Sequence, residues 1–233
     1  MLSGMLCGRY PVAGMTPIAV LGGTGPEGLG LAMRLAAAGE GVIIGSRTSD
    51  RAREAAEKVL AILPQAKVEG LANLDALRQA NRVVLAVPFD GLEPFLDGGR
   101  LDGKLVIDVV VPLTFADGFC DVRDIPGAAS VGELIQVRSP GARVVSAFKN
   151  IAAARLQALP APVEGDCLLC GNHARARAEV AALVVRIPRL RAVDAGGLRV
   201  ARHLEALTAL QINLNRQHGA ETAVSILGLP PPV

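Results

Sequence analysis

The apolar residues of this chain gather into short unbroken runs rather than alternating with polar ones. Ile18 to Leu21, Arg82 to Val87 and Lys104 to Val111 each read as a strand hydrophobic on both faces, which is the pattern of a parallel sheet covered on each side by helices. A second strand is predicted over Gly41 to Gly45 and a short third over Val68 to Leu71, with Pro88 and Pro112 stopping the fourth and fifth. Between the strands the spacing turns helical, over Gly28 to Ala38, over Asp50 to Ile62 with Ser49 as its cap, and from a cap at Asn73 through Ala80. A helix over Ser130 to Val137 leads into a sixth strand, Ala142 to Phe148. This alternation predicts an α/β fold, a Rossmann-type doubly wound parallel sheet.

Past the sixth strand the pattern shortens to a strand at Asp166 to Gly171, a helix at Ala174 to Val185, a strand at Leu190 to Asp194 and a long helix at Val200 to Arg216. We therefore expect a disordered extension over residues 1-15, a nucleotide-binding domain over 16-159 and a small C-terminal α/β domain over 163-233, hinged at Pro160-Ala161-Pro162. The Pro230-Pro231-Pro232 stretch reads as a chain end.

The first strand runs directly into Gly23-Thr24-Gly25-Pro26-Glu27-Gly28, a G-x-G-x-x-G turn that opens the first helix. Gly23 is assigned to the tight turn, Gly25 to close backbone approach by a diphosphate, and Gly28 to close packing of helix on strand. The helix N-terminus supplies free N–H groups and the positive end of its dipole. In a chain with 26 glycines such a motif is weak by itself; the strand before it and the helix after it make it a dinucleotide site.

The end of the second strand decides which dinucleotide. A carboxylate there would accept from a free ribose 2′-hydroxyl and repel a 2′-phosphate, whereas this strand ends Gly45-Ser46-Arg47-Thr48 with no acid before Asp50. Arg47 is placed to stack on adenine and bond a phosphate, Ser46 and Thr48 to donate hydroxyl bonds, and Arg51 to add a second positive charge. NADP(H) is the cofactor these residues predict.

Composition narrows the class. The chain has 233 residues, 51% of them hydrophobic, ample for a core, and no apolar run near the roughly 20 residues that span a bilayer. A net charge of +2 offers no basic field for nucleic acid. The first 15 residues lack the basic start and continuous apolar segment of a secretion signal, so cytoplasmic residence is expected. Cys167 and Cys170 have C-x-x-C spacing without a second pair, and read as two thiols on a buried strand. Asp108 lies inside the fifth strand, where a carboxylate must find partners. Arg202 and Glu205 are an i, i+3 pair on the last helix that reads as a domain-contact salt bridge rather than a catalytic pair, and His203 and His218 read as surface or interface residues.

These residues taken together resemble the F-420-dependent NADP oxidoreductases, which are reductases of a deazaflavin coenzyme. The resemblance runs from Ile18 to about Leu227 and rests on Gly22-Gly23-Thr24-Gly25, Gly28-Leu29-Gly30 and Gly45-Ser46-Arg47. Further along it includes Val87-Pro88-Phe89, Val111-Pro112-Leu113, Val144 to Phe148, Ala153-Ala154-Arg155, Cys170-Gly171, Asp194 to Leu198 and Arg202 to Thr208. It implies hydride transfer between carbon 4 of NADPH and carbon 5 of coenzyme F-420, with the two rings stacked, no catalytic nucleophile and no metal. Carried over, Thr24, Ser46, Arg47 and Arg51 serve NADPH, Val87 and Pro88 lie near the nicotinamide, and Lys149, Ile151 and Ala153 face the deazaflavin. A homodimer is also expected. The chain departs from the family at Lys149, where a histidine is common, and at Arg199, Val200 and Ala201, where small polar residues are. Lys149 reads as a partner for ring carbonyls or the acidic coenzyme tail, as the sign of another acceptor, or as a strand-end lysine keeping its charge in water. Two other readings stay open: a reductase of a flavin, ferric iron, imine or carbonyl, and a non-catalytic NADP(H) sensor.

Overall fold

A computed structural model describes residues 16–229; the expected extension and the terminal prolines lie outside the described residues. The first half is a strand-helix alternation: β1 (Ile18–Leu21), α1 (Pro26–Ala37), β2 (Val42–Ser46), α2 (Ser49–Ile62), β3 (Val68–Ala72), α3 (Asn73–Gln79) and β4 (Arg82–Leu85). After β4 come a one-turn helix α4 (Glu93–Leu96), β5 (Leu105–Asp108), a hairpin of β6 (Leu113–Ala116) and β7 (Phe119–Val122), α5 (Val131–Arg138) and β8 (Arg143–Ser146). The last part is α6 (Ala153–Gln157), β9 (Gly165–Gly171), α7 (Ala174–Val184), β10 (Leu190–Asp194) and α8 (Ala201–His218).

One eight-stranded sheet runs through the molecule in the order β10-β9-β8-β5-β4-β1-β2-β3. Every neighbouring pair is parallel except β8 and β9, which meet antiparallel at Val145↔Gly171 and Ser146↔Cys170. The strands beyond Pro160-Ala161-Pro162 thus extend the same sheet. Order 3-2-1-4 with a reversal between β1 and β4 places the crevice for a nucleotide at the C-terminal ends of those two strands.

The unbroken apolar runs have the meaning the sequence gives them. Ile18 and Val20 of β1 enter one core layer with α1, α2, α6 and α7, while Ala19 and Leu21 enter the other with α3, α4 and α5. The sequence reading missed the β6–β7 hairpin, whose Phe115 and Phe119 are exposed and carry no buried stripe. It also missed the short α6. Helix α1 starts two residues before the predicted Gly28, because Pro26 sits at its first position, where a missing N–H costs nothing. Ser49 lies inside α2 rather than capping it; Thr48 holds the extended cap position, without a side-chain bond. Ser130 does cap α5, accepting from the Glu133 N–H at 3.2 Å.

Candidate nucleotide and acceptor site

The glycine turn is built mainly from backbone. Gly22, not Gly23, takes the left-handed conformation, at φ +78°, and a Cβ there would lie 2.6 Å from the Ala86 carbonyl oxygen. A Cβ at Gly28 would meet the Gly22 carbonyl oxygen at 2.6 Å and Gly23 Cα at 2.8 Å, so only glycine lets α1 seat against the turn. Gly25 is extended, and its Cβ direction meets only the Gly22 oxygen, at 3.4 Å, which leaves its outer face open to a ligand. Pro26 has no N–H, so the first-turn amides free for an anion are those of Glu27 and Gly28.

Residues predicted for the ribose end come together at the tip of β2. Thr24 Oγ1 lies 3.4 Å from Ser46 Oγ, joining the turn to the strand end. Ser46 is buried, and Arg47, Thr48 and Arg51 are exposed just beyond it. Among the described residues neither Arg47 nor Arg51 forms an ion pair, whereas the neighbouring Arg53 is held by Asp50 at 2.6 Å. Asn73 was expected to cap α3; instead Ala72 has the cap position, and the Asn73 side chain accepts from the Gly22 N–H at 3.1 Å. Gly45 makes the room, since a Cβ there would lie 2.6 Å from Asn73 Oδ1. Val87, two residues past the end of β4, packs against Gly22, its Cα 2.9 Å from where a Gly22 Cβ would stand, and Pro88 follows it at the surface.

Helix α1 also holds the second half of the site. Gly30 brings α6 close, a Cβ there falling 2.6 Å from Leu156 Cβ. Buried Arg34 donates to the carbonyls of Arg155, Leu156 and Ala158 at 2.7, 2.8 and 3.2 Å, and Gln157 Nε2 donates to the Pro26 carbonyl at 2.7 Å. The segment from Ala153 to Ala158 is therefore fixed to the helix that the glycine turn opens.

Lys149 is not what the sequence suggested. Its side chain is wholly buried, with Nζ 2.8 Å from Asp108 Oδ2 and 3.2 Å from Glu205 Oε1, and it donates to the Val110 carbonyl. The ammonium is enclosed between two carboxylates, so it does not keep its charge in water. Asp108 also accepts from Ser146 Oγ at 2.7 Å and from the Val110 N–H at 3.0 Å, while Glu205 Oε1 accepts from the Val131 N–H at 2.9 Å. Burial pushes the Glu205 carboxyl above its ordinary value, against the pull of Lys149. Glu205 thus pairs with Lys149 across the fold rather than with Arg202 along the helix. The main chain here is fixed too: the Lys149 carbonyl accepts from Thr208 Oγ1 at 2.8 Å, and Asn150 bonds both the Asp166 carbonyl and the Leu168 N–H.

Between this segment and α8 lies a cleft of about 320 Å³. Ile151, Ala152 and Ala153 form one wall, Thr208, Gln211 and Asn215 of α8 the other, with Val109 and Val111 at the end of β5 as the floor and Glu27 at the cradle end. Glu27 keeps some exposed surface as a residue, but its Oε1 is sealed from solvent and without a hydrogen-bond partner. Burial pushes its carboxyl up to about 8. The sequence places Glu27 among the cofactor-binding residues of the glycine motif; nothing local marks its side chain as turned inward. Cys167 and Cys170 are buried free thiols on β9, as read, and burial pushes both up to about 12. Cys167 Sγ accepts from the Phe148 N–H at 3.2 Å, a structural use.

Residues 17–112 match the family described as NADP oxidoreductase, coenzyme F-420-dependent. The chain is 41% identical over 221 residues to an F-420-dependent NADP reductase of Methanothermobacter marburgensis, covering 91% of this chain and 99% of the relative. It is 40% identical to the enzyme of the same description from Methanocaldococcus jannaschii, covering 98% of that relative. Among solved structures, a provisionally named F-420-dependent NADP reductase from Arthrobacter sp. FB24 superposes with a TM-score of 0.76 at 30% identity, over 91% of this chain and 99% of the other. A reductive aminase from Aspergillus terreus, solved with NADPH and ethyl-5-oxohexanoate, has a TM-score of 0.62 at 16% identity, over 88% and 63%, which is a likeness of fold alone.

Proposed function

The chain belongs to the F-420-dependent NADP reductase family, and on that premise we propose that it transfers a hydride between NADP(H) and the deazaflavin coenzyme F-420. The observation that carries the reading is the double duty of α1: its first turn closes the glycine cradle, and its Gly30 and Arg34 fix the wall of the adjoining cleft. Two flat rings held on one rigid element need no nucleophile and no metal. The protein's part is to set the reacting carbons at near-attack separation, roughly 3–3.5 Å, and to keep water away.

In this reading Gly23 and the Glu27 and Gly28 amides, beside the open face of Gly25 and behind Pro26, take the diphosphate. Thr24, Ser46, Arg47, Thr48 and Arg51 take the adenosine 2′-phosphate. Val87 and Pro88 back the nicotinamide. Ile151, Ala153 and the main chain at Lys149 face the deazaflavin, while the Lys149 ammonium acts from within by fixing that main chain. Loss of deazaflavin absorbance on mixing the protein with NADPH and oxidised F-420 is the expected result, with NADPH bound at least tenfold more tightly than NADH. Tight NADPH binding without F-420 reduction, or a preference for NADH, overturns it.

Among the described residues no helix is long and apolar enough to cross a membrane. The three cysteines among the described residues are buried free thiols, which suits a reducing compartment, and we place the protein in the cytoplasm. We also assign it a homodimer. The exposed apolar side chains Phe115 and Phe119 on the hairpin and Leu210 and Leu214 on α8 lie on adjoining elements, tied by Asn213 to the Cys120 backbone. A monomer in sedimentation equilibrium at micromolar concentration rules the dimer out.

A further inference from the structure

Reduction of a deazaflavin by NADPH moves more than a hydride. The hydride carries both electrons from the nicotinamide carbon to the deazaflavin carbon, breaking one C–H bond and forming another. A proton must also reach a pyrimidine-ring nitrogen of the acceptor, so that NADPH, H⁺ and F-420 give NADP⁺ and reduced F-420. With the two rings stacked over the cleft, a group on its wall can hold that proton.

Two of the residues lining the cleft are ionisable, Lys149 and Glu27. The Lys149 ammonium is enclosed by Asp108, Glu205 and the Val110 carbonyl. Glu27 has its Oε1 sealed from solvent and unpartnered, and it stands at the junction of cradle and cleft. Resting on the hydride-transfer reading above, we propose that the Glu27 carboxyl holds the proton that accompanies the hydride and delivers it to the acceptor ring. The O–H bond of the acid breaks, an N–H bond forms on the deazaflavin, and Glu27 is left as a carboxylate that regains a proton from bulk water once the product leaves. In the opposite direction the carboxylate accepts the proton.

The surroundings agree with this assignment. Cys167 on β9 lies close enough to Glu27 to feel its charge, and burial keeps it a neutral thiol. Asp166 on the same strand is taken up by Arg191 at 2.6 and 2.7 Å, and Thr208, Gln211 and Asn215 across the cleft are neutral. Among the described residues no cation bonds Glu27 and holds it ionised. Burial raises its carboxyl from an ordinary 4.5 to about 8, so at pH 7 it carries the proton. Because the folded protein binds that proton and the unfolded chain releases it, this group's contribution to stability declines as pH rises from about 4.5 to about 8.

The test is E27Q, which keeps size and polarity and removes the titration. Its NADPH dissociation constant is expected to stay within about threefold of wild type. The single-turnover rate of F-420 reduction by NADPH is expected to fall about a hundredfold at pH 7, the low end of general-acid effects. The wild-type rate should fall above about pH 8 and show a solvent deuterium isotope effect, and E27Q should lose both features. A second readout needs no turnover: the infrared difference between wild type and E27Q should show a protonated carboxyl at pH 7 that ionises near pH 8. Wild-type rate and pH profile in E27Q overturn the proposal, as does a carboxyl already ionised at pH 7. Wild-type protein that binds NADPH and leaves F-420 oxidised brings down the functional reading instead, and the infrared result then stands apart from it.

Discussion

The two halves of the site are made in different ways. The nucleotide edge, from β1 through the glycine turn to the tip of β2, is shaped by absent side chains: Cβ atoms at Gly22, Gly28 and Gly45 would each fall within 2.6 Å of another atom. The acceptor edge, from the end of β5 to α8, is held by present ones, chiefly the buried Asp108, Lys149 and Glu205. A backbone cradle can accept an anion without any charged group of its own. A charged cluster sealed in the core carries a desolvation cost that its internal pairing offsets only while every member is present. The acceptor edge should therefore fail by losing stability, and the nucleotide edge by losing affinity.

The largest expected effect tests the first half of that statement. Lys149→Met keeps the length of the side chain and leaves Asp108 and Glu205 facing each other at 1% side-chain exposure or less. Removing one partner of a buried ion cluster costs about 3–5 kcal/mol, read as a lower urea midpoint. Protonation of one carboxylate relieves the repulsion, so the loss should shrink as pH falls, and adding Glu205→Gln should recover part of it. The NADPH dissociation constant of the folded fraction should not change. An unchanged midpoint would mean that the cluster contributes no net stability, and the contrast between the two edges would go with it.

The same contrast explains what could be read from the chain alone. Strands β1, β2, β4 and β5 and the glycine turn are local features, apolar runs and glycines within a few residues of one another, and they were legible. The proposed ribose end is equally local, with Ser46 the last residue of β2 and Arg47 directly after it. The acceptor edge depends on residues 108, 149 and 205, brought together by β5 and β8 pairing in the sheet and α8 folding back over their ends. No spacing rule links them, so Lys149 read as a ligand for the acceptor and Glu205 as the neighbour of Arg202. Asn73 failed for a related reason: a helix-start asparagine satisfies a local capping rule, and only the nearby Gly45 shows the side chain a path to the Gly22 N–H. The hairpin went unread because a pair of four-residue strands with Cys120 as its one buried side chain has no apolar face to impose a pattern.

A smaller effect, on affinity rather than stability, should follow from Gly28→Ala. The added methyl would stand 2.6 Å from the Gly22 carbonyl oxygen and 3.0 Å from its carbon, both backbone atoms with no rotamer through which to escape. Either α1 slides away from the turn or Gly22 moves, and Gly22 is already fixed by Asn73 at 3.1 Å and by Ala86 behind it. The helix is the freer of the two, and its displacement carries the Glu27 and Gly28 amides off the diphosphate. We expect NADPH to bind roughly a hundredfold more weakly, about 2.7 kcal/mol. The ion cluster does not touch α1, so its contribution to stability should survive. Unaltered NADPH affinity in Gly28→Ala would show that the close approach of helix and turn is dispensable, and the cradle would then have to be credited to Thr24, Ser46 and Arg47 rather than to the backbone.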